Sequence, residues 1–278
     1  MDTTARFALV GPGRAGTAIT EALVQAGWRL SAVAGRSADA PSARALADRH
    51  HAAARPVAAV AAGADVVVVA TPDAALAAAA AALAPSLAPG TLVVHLAGSL
   101  GLEVFDDLLA ARRDTAVGAA HPLQTLPAGT TPDRLRGVAF AVEGDERVVA
   151  LVEAVGGRPF AVADRVAYHA AACVAGNHLV ALVGQVERLA ASAGLPADAF
   201  APLMRTALDN ALEHGAAASL TGPVVRGDAT TVARHLDGIP GDERAAYRAL
   251  AIEALRLADD PDPAVRAVLD GLLVGGAS

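Results

Sequence analysis

The sequence contains no lysine, and all 22 of its basic residues are arginines. Catalysis by a lysine amine, as a proton donor or through a Schiff base, is therefore excluded. Asparagine is also scarce and occurs only at Asn177 and Asn210. We attribute both deficits to codon usage in a GC-rich genome and not to function.

Cysteines and clusters of basic residues are missing as well. Cys173 is the only cysteine, so the chain can form neither an internal disulfide nor a thiolate metal cluster. The formal net charge is -7, and the arginines are scattered along the chain. The sequence therefore offers no basic face to a phosphate backbone, and we expect no nucleic acid partner.

No long apolar run is present either. The longest, "AALAAAAAALAP", is too short to span a bilayer and is predicted to be an amphipathic helix. The start, "MDTTARFALVG", lacks the basic and apolar regions of a signal peptide. We therefore expect a cytoplasmic protein without a membrane segment. Its 54% of hydrophobic residues are enough for one large core or two modest ones.

A glycine-rich turn opens the part of the sequence that carries information on function. From Arg6 the chain reads "RFALVGPGRAGTAITEALVQAGW", a short apolar strand, a turn and a helical pattern. The first glycine permits the tight turn, the second lets a pyrophosphate approach, and the third lets helix and strand pack closely. The helix N-terminus offers unpaired N–H groups to phosphate. The predicted cofactor-binding residues are Gly11, Pro12, Gly13, Arg14, Ala15 and Gly16.

An arginine follows the second predicted strand, "LSAVAGRS". Domains that bind NAD normally have an acidic residue at this point, and that acid contacts the ribose. Arg36 and the hydroxyl of Ser37 would instead bind a 2′-phosphate by charge-assisted hydrogen bonds. We therefore expect NADP as the cofactor. The alternative is that Arg36 is an ordinary solvated loop residue.

Further strands alternate with helices through the first half of the chain. The segments "DVVVVATPD", "TLVVHLAGS" and "TAVGAAHP" are predicted strands, and "GVAFAVEG" and "GRPFAVA" would close the sheet near residue 163. Ligands of such sheets lie outside the carboxyl ends of the strands. The residues expected at these ends are Thr71, Pro72, His95 and Gly98 for the cofactor, with Ser99 and His121 beside them.

The second half has the periodicity of helices. A long helix is predicted from Asp164 to about Ala193, and four more helices follow it. The predicted fold class is α/β: a Rossmann domain over residues 1–162, with a doubly wound and mainly parallel sheet, followed by an all-α domain over residues 163–278. We expect the catalytic cleft between the two domains.

Several motifs resemble a known family. The glycine turn, "VVVVATPD" and the long helix resemble the superfamily of β-hydroxyacid dehydrogenases, ketopantoate reductases and pyrroline-5-carboxylate reductases. More specifically, "HPLQT", "YHAAACVAGN" and "LTGPVVRGD" followed by "TVARHL" resemble a Rossmann-like family with a C-terminal domain of unknown function. The resemblance implies an NADP-dependent reductase that forms a homodimer through its helical domain. The resemblance also implies ketopantoate as a possible substrate.

The sequence departs from the wider superfamily at one position of the long helix. The superfamily has a lysine four residues before an asparagine, and Cys173 stands at that place before Asn177. The proton donor that the resemblance implies is therefore missing. Ala97 and Arg165 stand where relatives often have serine and lysine, so we expect no chemical role for either.

Reduction of a carbonyl by NADPH needs a proton donor and usually a cation for a substrate carboxylate. His121 and His169 are the candidate donors, because only histidine titrates near neutral pH without a large shift. Each could instead be structural. Asn177 is expected to bind the substrate oxygen or to join the helix to a loop. Arg226 is expected to bind the carboxylate or to pair with Asp228, which would cap the next helix.

His169, Cys173 and Asn177 follow one another at steps of four, so a regular helix would carry all three on one side. A metal site is not expected there, because an amide oxygen is a poor partner for a soft thiolate and no carboxylate joins the stripe. Cys173 is expected to be inert, since an alanine-rich surface offers nothing that would lower its pKa.

The leading hypothesis is thus an NADP-dependent oxidoreductase that reduces the carbonyl of a small carboxylic acid. A second hypothesis, which the missing lysine favours, is a protein that binds NADP without turnover and acts as a sensor or partner. A third is an imine reductase similar to pyrroline-5-carboxylate reductase.

Overall fold

The computed structural model of the chain describes residues 5–37 and 39–271. Its central feature is an eight-stranded sheet with the strand order β3-β2-β1-β4-β5-β6-β7-β8. The strands are β1 (Arg6–Val10), β2 (Arg29–Ala34), β3 (Ala53–Ala54), β4 (Val66–Val69), β5 (Leu92–His95), β6 (Ala116–Pro122), β7 (Ala139–Gly144) and β8 (Arg158–Ala161). All neighbouring strands are parallel except β6 and β7, which are antiparallel. The predicted α/β fold with a mainly parallel sheet is confirmed.

Strand β4 shows why the sheet forms where it does. Its four valines are all buried, as expected for a central parallel strand that is covered on both faces. The strand lies between β1 and β5, and Val69 is paired with both Val10 and His95. The carboxyl ends of these three strands therefore form one row at the edge of the sheet.

Helices cover the two faces of the sheet. The first six are α1 (Arg14–Gln25), α2 (Pro41–Arg49), α3 (Val57–Val60), α4 (Asp73–Ala81), α5 (Asp106–Ala111) and α6 (Arg147–Ala154). One apolar layer contains Phe7 and Leu9 with residues of α1, α2 and α6, and the other contains Ala8 and Val10 with residues of α3 and α4. Alternate residues of β1 thus supply opposite layers, as the period of a strand requires.

The alanine-rich segment does not form one helix from Ala74 to Leu87, as the sequence predicts. Helix α4 ends at Ala81, and a 3₁₀ turn follows at Ala84–Ser86. Pro85 lies in that turn and has no N–H group with which to continue an α-helix.

The predicted long helix is also interrupted, here by a π-helical turn. It consists of α7 (Arg165–Cys173), a π-helical turn (Val174–His178) and α8 (Leu179–Ser192). The carboxylate of Asp164 caps α7 by accepting a hydrogen bond of 2.9 Å from the N–H of Ala167. Backbone hydrogen bonds of a π turn span one residue more than those of an α-helix. The prediction that Asn177 continues the stripe of His169 and Cys173 in regular α-helical register is therefore wrong.

The helical run from residue 165 to residue 192 is longer than the alanine-rich segment and is also apolar. It has 28 residues, its most apolar stretch has a mean hydropathy of 1.5, and none of that stretch is buried. By length and composition alone, this run could cross a membrane. The sequence-based expectation considered only the alanine-rich segment.

The described residues divide into two compact units, Met1–Gly176 and Asn177–Ser278. The division falls inside the π turn, later in the chain than the predicted boundary after residue 162. Beyond α8, the second unit contains α9 (Ala201–His214), α10 (Ala216–Ser219), α11 (Ala229–Gly238), α12 (Arg244–Arg256) and α13 (Pro263–Leu269). Its apolar core is formed by residues such as Val232, Leu255 and Leu269.

Candidate functional site

The turn after β1 has the shape of a dinucleotide-binding loop. Gly11 has a φ of 93°, and a β-carbon there would lie 2.6 Å from the carbonyl oxygen of Ala70. A β-carbon on Gly16 would lie 2.2 Å from the carbonyl oxygen of Gly11, so only glycine lets the helix approach the loop. At Gly13, by contrast, nothing lies within 4 Å of the β-carbon position, and α1 begins there without a side-chain cap. A phosphate could thus reach the free N–H groups of the helix.

A cleft of about 800 Å³ lies beside this turn. Of the predicted cofactor residues, Gly11, Pro12, Gly13, Arg36, Ser37, Thr71 and Pro72 line it. Arg36 and Ser37 are exposed within it, while Ala75 and Ala79 of α4 form an apolar wall. Asp39 is the nearest acid in the sequence, and its carboxylate pairs with Arg44. The donor set of the cleft therefore fits a phosphorylated dinucleotide.

The other cofactor predictions fall outside this cleft. Arg14 lines a second cavity of about 610 Å³, together with the loop from Pro127 to Pro132. Ala15 packs against the apolar core, and Gly16 is buried. His95 and Gly98 belong to a cluster at the carboxyl ends of β5 and β6, in which aromatic and basic side chains surround a glycine. We call it the histidine cluster, and it consists of His95, Gly98, His121, Arg165, Tyr168 and His169.

His95 holds the loop that follows β5. Its ring is fully buried, and Nε2 donates a hydrogen bond of 3.2 Å to the carbonyl oxygen of Gly101. Nδ1 accepts a hydrogen bond of 3.1 Å from the N–H of Ala97. Burial, helped by the charge of Arg165, lowers the pKa of His95 to about 4. The ring thus has no free nitrogen and no exposed surface, and its observed partners are those of the loop that carries Gly98.

His121 lies near the end of β6 and is partly buried. Its Nδ1 lies 2.8 Å from the hydroxyl oxygen of Tyr168. Burial lowers the pKa of His121 to about 4, with further contributions from His169 and Arg165. The imidazole is therefore neutral at neutral pH, which removes the reason for choosing it as a proton donor, namely an unshifted pKa.

His169 packs against the same loop from α7. A β-carbon on Gly98 would lie 2.4 Å from Nδ1 of His169 and 2.9 Å from Nε2 of His121. The two imidazoles therefore converge on Gly98, with their ring centroids 5.7 Å apart. Nδ1 of His169 is buried without a hydrogen-bond partner in the described part of the chain. Its Nε2 lies 3.7 Å from Sγ of Cys173.

Arg165 brings a buried positive charge to the cluster. Its side chain is only 9% exposed, and Nε donates a hydrogen bond of 2.7 Å to Oε2 of Glu143. Nη1 lies 3.4 Å from the carbonyl oxygen of Ala97, and Nη2 is buried without a partner among residues 5–37 and 39–271. The charge of Arg165 acts to lower the pKa values of His95, His121 and Tyr168.

Sequence reasoning missed both Arg165 and Tyr168. The resemblance predicts no role for Arg165, and no motif in the sequence singles out Tyr168. A signal was present, however, because Arg165, Tyr168 and His169 are spaced at i, i+3 and i+4 at the start of a helix and so share one face.

The remaining predicted site residues belong to the second unit. Asn177 is exposed in the π turn, and Arg226 is exposed in the loop before α11. Asp228 caps α11, since its carboxylate accepts a hydrogen bond of 2.9 Å from the N–H of Thr231. The predicted cap is therefore confirmed. Within residues 5–37 and 39–271, no group of three or more His, Cys, Asp or Glu residues is arranged to hold a metal ion.

The fold and the glycine turn define a Rossmann-type protein with a helical C-terminal unit. Residues 3–123 match a family described as a Rossmann-like domain, and residues 138–254 match one described as a domain of unknown function, DUF2520. The resemblance to a Rossmann-like family with such a C-terminal domain is therefore confirmed. No curated protein sequence matches the chain.

Solved structures share this fold over nearly the whole chain. A candidate NADP oxidoreductase from Bacteroides fragilis has a TM-score of 0.76 at 24% identity, covering 91% of this chain and 98% of its own. A protein from Thermotoga maritima has a TM-score of 0.68 at 26% identity, covering 96% and 99%. A reductive aminase from Aspergillus terreus, solved with NADPH and ethyl-5-oxohexanoate, has a TM-score of 0.64 at 20% identity, covering 97% and 99%.

Proposed function

We propose that the protein is an NADP-dependent oxidoreductase that reduces the carbonyl group of a small carboxylic acid. The observation that carries the proposal is the cleft beside the glycine turn, in which Arg36 and Ser37 are exposed. A guanidinium and a hydroxyl are suitable ligands for the 2′-phosphate that distinguishes NADP from NAD. The similar fold of a candidate NADP oxidoreductase supports the same cofactor.

The residues of the first unit fit this cofactor in two ways. The open side of Gly13 and the uncapped start of α1 would accept the pyrophosphate. The histidine cluster stands at the carboxyl ends of β5 and β6, the edge of the sheet at which such proteins bind ligands. When bound, NADPH would supply a hydride. The chain itself must then orient the substrate and supply a proton.

The proposed substrate class rests on Arg226. Arg226 is exposed and has a guanidinium that matches a carboxylate in geometry. Asn177, also exposed, would hydrogen-bond a substrate oxygen. We therefore propose a 2-keto acid or a similar small acid, and ketopantoate is the first compound to assay.

The test is the oxidation of NADPH by the purified protein in the presence of a panel of 2-keto acids that includes ketopantoate. Turnover with at least one acid, and a preference for NADPH over NADH, is the expected result. Tight binding of NADPH without reduction of any member of the panel would favour a sensor or partner protein instead.

Reduction of an imine is a second candidate activity, and the likeness to a reductive aminase favours it. The same arrangement of hydride and proton donors serves a C=N bond, with nitrogen in the place of oxygen. Pyrroline-5-carboxylate belongs in the panel for this reason. Activity on it, without activity on keto acids, would assign the protein as an imine reductase.

We also propose that the protein is a cytoplasmic homodimer. Large apolar side chains are exposed on two helices of the second unit, including Val180 on α8 and Leu203 and Leu212 on α9, at 68%, 67% and 78%. A second copy of the chain would cover them, because exposed apolar patches of this kind mark interfaces. Light scattering on purified protein should give twice the mass of the chain. Recovery only in the membrane fraction would instead indicate that the helical run from residue 165 to residue 192 contacts lipid.

A further inference from the structure

A hydrogen-bonded tyrosine and histidine lie within the histidine cluster, and the tyrosine has no role in the function proposed so far. The hydroxyl oxygen of Tyr168 lies 2.8 Å from Nδ1 of His121. The two rings meet edge to face, with centroids 5.6 Å apart and an interplanar angle of 86°. Tyr168 comes from the first turn of α7 and His121 from β6, so the fold brings two distant segments together.

We propose that Tyr168 is the catalytic acid of the oxidoreductase and that it gives its phenolic proton to the carbonyl oxygen of the substrate. This assignment rests on the proposed function. With the hydride supplied by the reduced nicotinamide, the carbonyl carbon gains a C–H bond and the π electrons of the C=O bond move to oxygen. That oxygen takes the proton of Tyr168 as the phenolic O–H bond breaks. The phenolate regains a proton from water after the product leaves.

His121 positions this acid. Because the imidazole is neutral, it carries a single proton, and with that proton on Nδ1 it donates to the oxygen of Tyr168. The O–H of Tyr168 is then free to point to a substrate. The same N–H would stabilise the phenolate after proton transfer, since hydrogen bonds to a charged acceptor are stronger than those to a neutral one.

Arg165 supplies a positive charge that favours the transfer of the proton from Tyr168. Burial raises the pKa of Tyr168, so the hydroxyl is protonated at neutral pH, whereas the nearby charge of Arg165 acts in the opposite direction. This guanidinium is held in place by Glu143 and is almost fully buried. A fixed cation that favours the phenolate stabilises the state that forms as the proton leaves, and catalysis depends on that stabilisation.

Substitution of Tyr168 by phenylalanine removes the proton and keeps the ring. Tyr168→Phe should lower kcat by about a hundredfold or more, as loss of a general acid typically does. The Kd for NADPH should change by less than about twofold, since Tyr168 does not line the cleft of Arg36 and Ser37. The assay uses whichever acid or imine of the panel the unmodified protein reduces.

The chain contains a matched control. Tyr247 is the only other tyrosine, and its hydroxyl oxygen lies 2.8 Å from Nδ1 of His235, with ring centroids 5.8 Å apart at 89°. This pair belongs to the second unit and has the same geometry as the pair of Tyr168 and His121. Tyr247→Phe should therefore lose a similar hydrogen bond and leave kcat unchanged.

A second readout needs neither substrate nor coenzyme. In the Tyr247→Phe variant, Tyr168 is the only phenol, so the ultraviolet absorbance of phenolate reports its ionisation alone as pH is raised. Adding Arg165→Gln should raise the pKa of Tyr168, because the nearby cation is removed. The same change should lower kcat.

The results of these assays distinguish a failure of the role assigned to Tyr168 from a failure of the proposed function on which that role rests. If the unmodified protein reduces no member of the panel, the proposed function fails, and the role of Tyr168 fails with it. If the unmodified protein is active and Tyr168→Phe retains its kcat, only the role of Tyr168 is overturned. An unchanged titration of Tyr168 in the Arg165→Gln variant would overturn the part assigned to Arg165.

Discussion

Gly98 and His169 are packed so closely that a β-carbon on Gly98 would lie 2.4 Å from Nδ1 of the histidine. The same β-carbon would lie 2.9 Å from Nε2 of His121. Both rings therefore lie so close to the backbone of Gly98 that a β-carbon there would force them to move. The loop after β5 is held by the hydrogen bonds of His95 to Ala97 and Gly101, and it thus sets the position of His121 and His169 and, through His121, of Tyr168.

Gly98→Ala should displace both imidazoles and lower kcat by about tenfold or more, because misplaced catalytic groups lose much of their effect. Gly238→Ala is the control, since no atom lies within 4 Å of the β-carbon position at Gly238. Steady-state kinetics of the two variants, with circular dichroism to confirm folding, provide the comparison. Equal activities would show that the contact at Gly98 is irrelevant to catalysis.

Arg36→Asp should reverse the preference for NADPH over NADH. The introduced carboxylate would repel a 2′-phosphate and accept hydrogen bonds from the ribose hydroxyls of NAD. The ratio of kcat/KM for the two coenzymes measures the effect. Arg256→Asp makes the same reversal of charge at an exposed pair with Glu253 in the second unit and should leave the ratio unchanged.

Arg226→Ala should lower kcat/KM for the acid by about a hundredfold, because the carboxylate loses a charge-assisted partner. Asp228→Ala, two residues away, should act differently. It removes the cap of α11 and should lower the free energy of unfolding by about 1 kcal/mol without a comparable loss of activity. Urea denaturation and kinetics on both variants separate the two roles, and a stability loss in Arg226→Ala with full activity would argue against the carboxylate contact.

Stability should fall as pH falls from about 6.5 to 4. The pKa values of His95 and His121 are lowered to about 4 in the folded chain, so between these pH values the unfolded chain binds more protons than the folded chain. Each histidine should contribute a loss of about 2 kcal/mol between about pH 7 and about pH 5. Urea denaturation of the unmodified protein and of His121→Asn at both pH values measures this loss in the free energy of unfolding. The free energy of unfolding of the variant should fall with pH by about half as much as that of the unmodified protein. An equal fall in both proteins would contradict the lowered pKa of His121.

The strands and the glycine turn could be predicted from the sequence because each depends on residues that are close together in the chain. Four consecutive valines at Val66–Val69 favour a buried strand, and the spacing of Gly11, Gly13 and Gly16 has few alternatives to a phosphate-binding turn. The cap at Asp228 followed from its position before an apolar helical pattern. Arg36 was found because its distance from the glycine turn is set by the length of one helix and one strand.

The histidine cluster was harder to predict, because it depends on contacts between distant segments. Tyr168 and His121 approach only when α7 packs against the end of β6, and no sequence pattern states that packing. The low pKa of His121 arises mainly from burial and then from its neighbours, which also cannot be derived from sequence position. The π turn is a further case, since Gly176 in an otherwise helical pattern gave no sign of a change in register.

The central claim is that the glycine turn and Arg36 hold a phosphorylated dinucleotide, and isothermal titration calorimetry with NADPH and NADH tests it most directly. The account predicts a saturating heat with NADPH, and a Kd for NADH at least about tenfold weaker, since the 2′-phosphate makes charge-assisted hydrogen bonds. Arg36→Asp should reverse that difference. Absence of heat with either coenzyme would contradict the claim and the oxidoreductase function that depends on it.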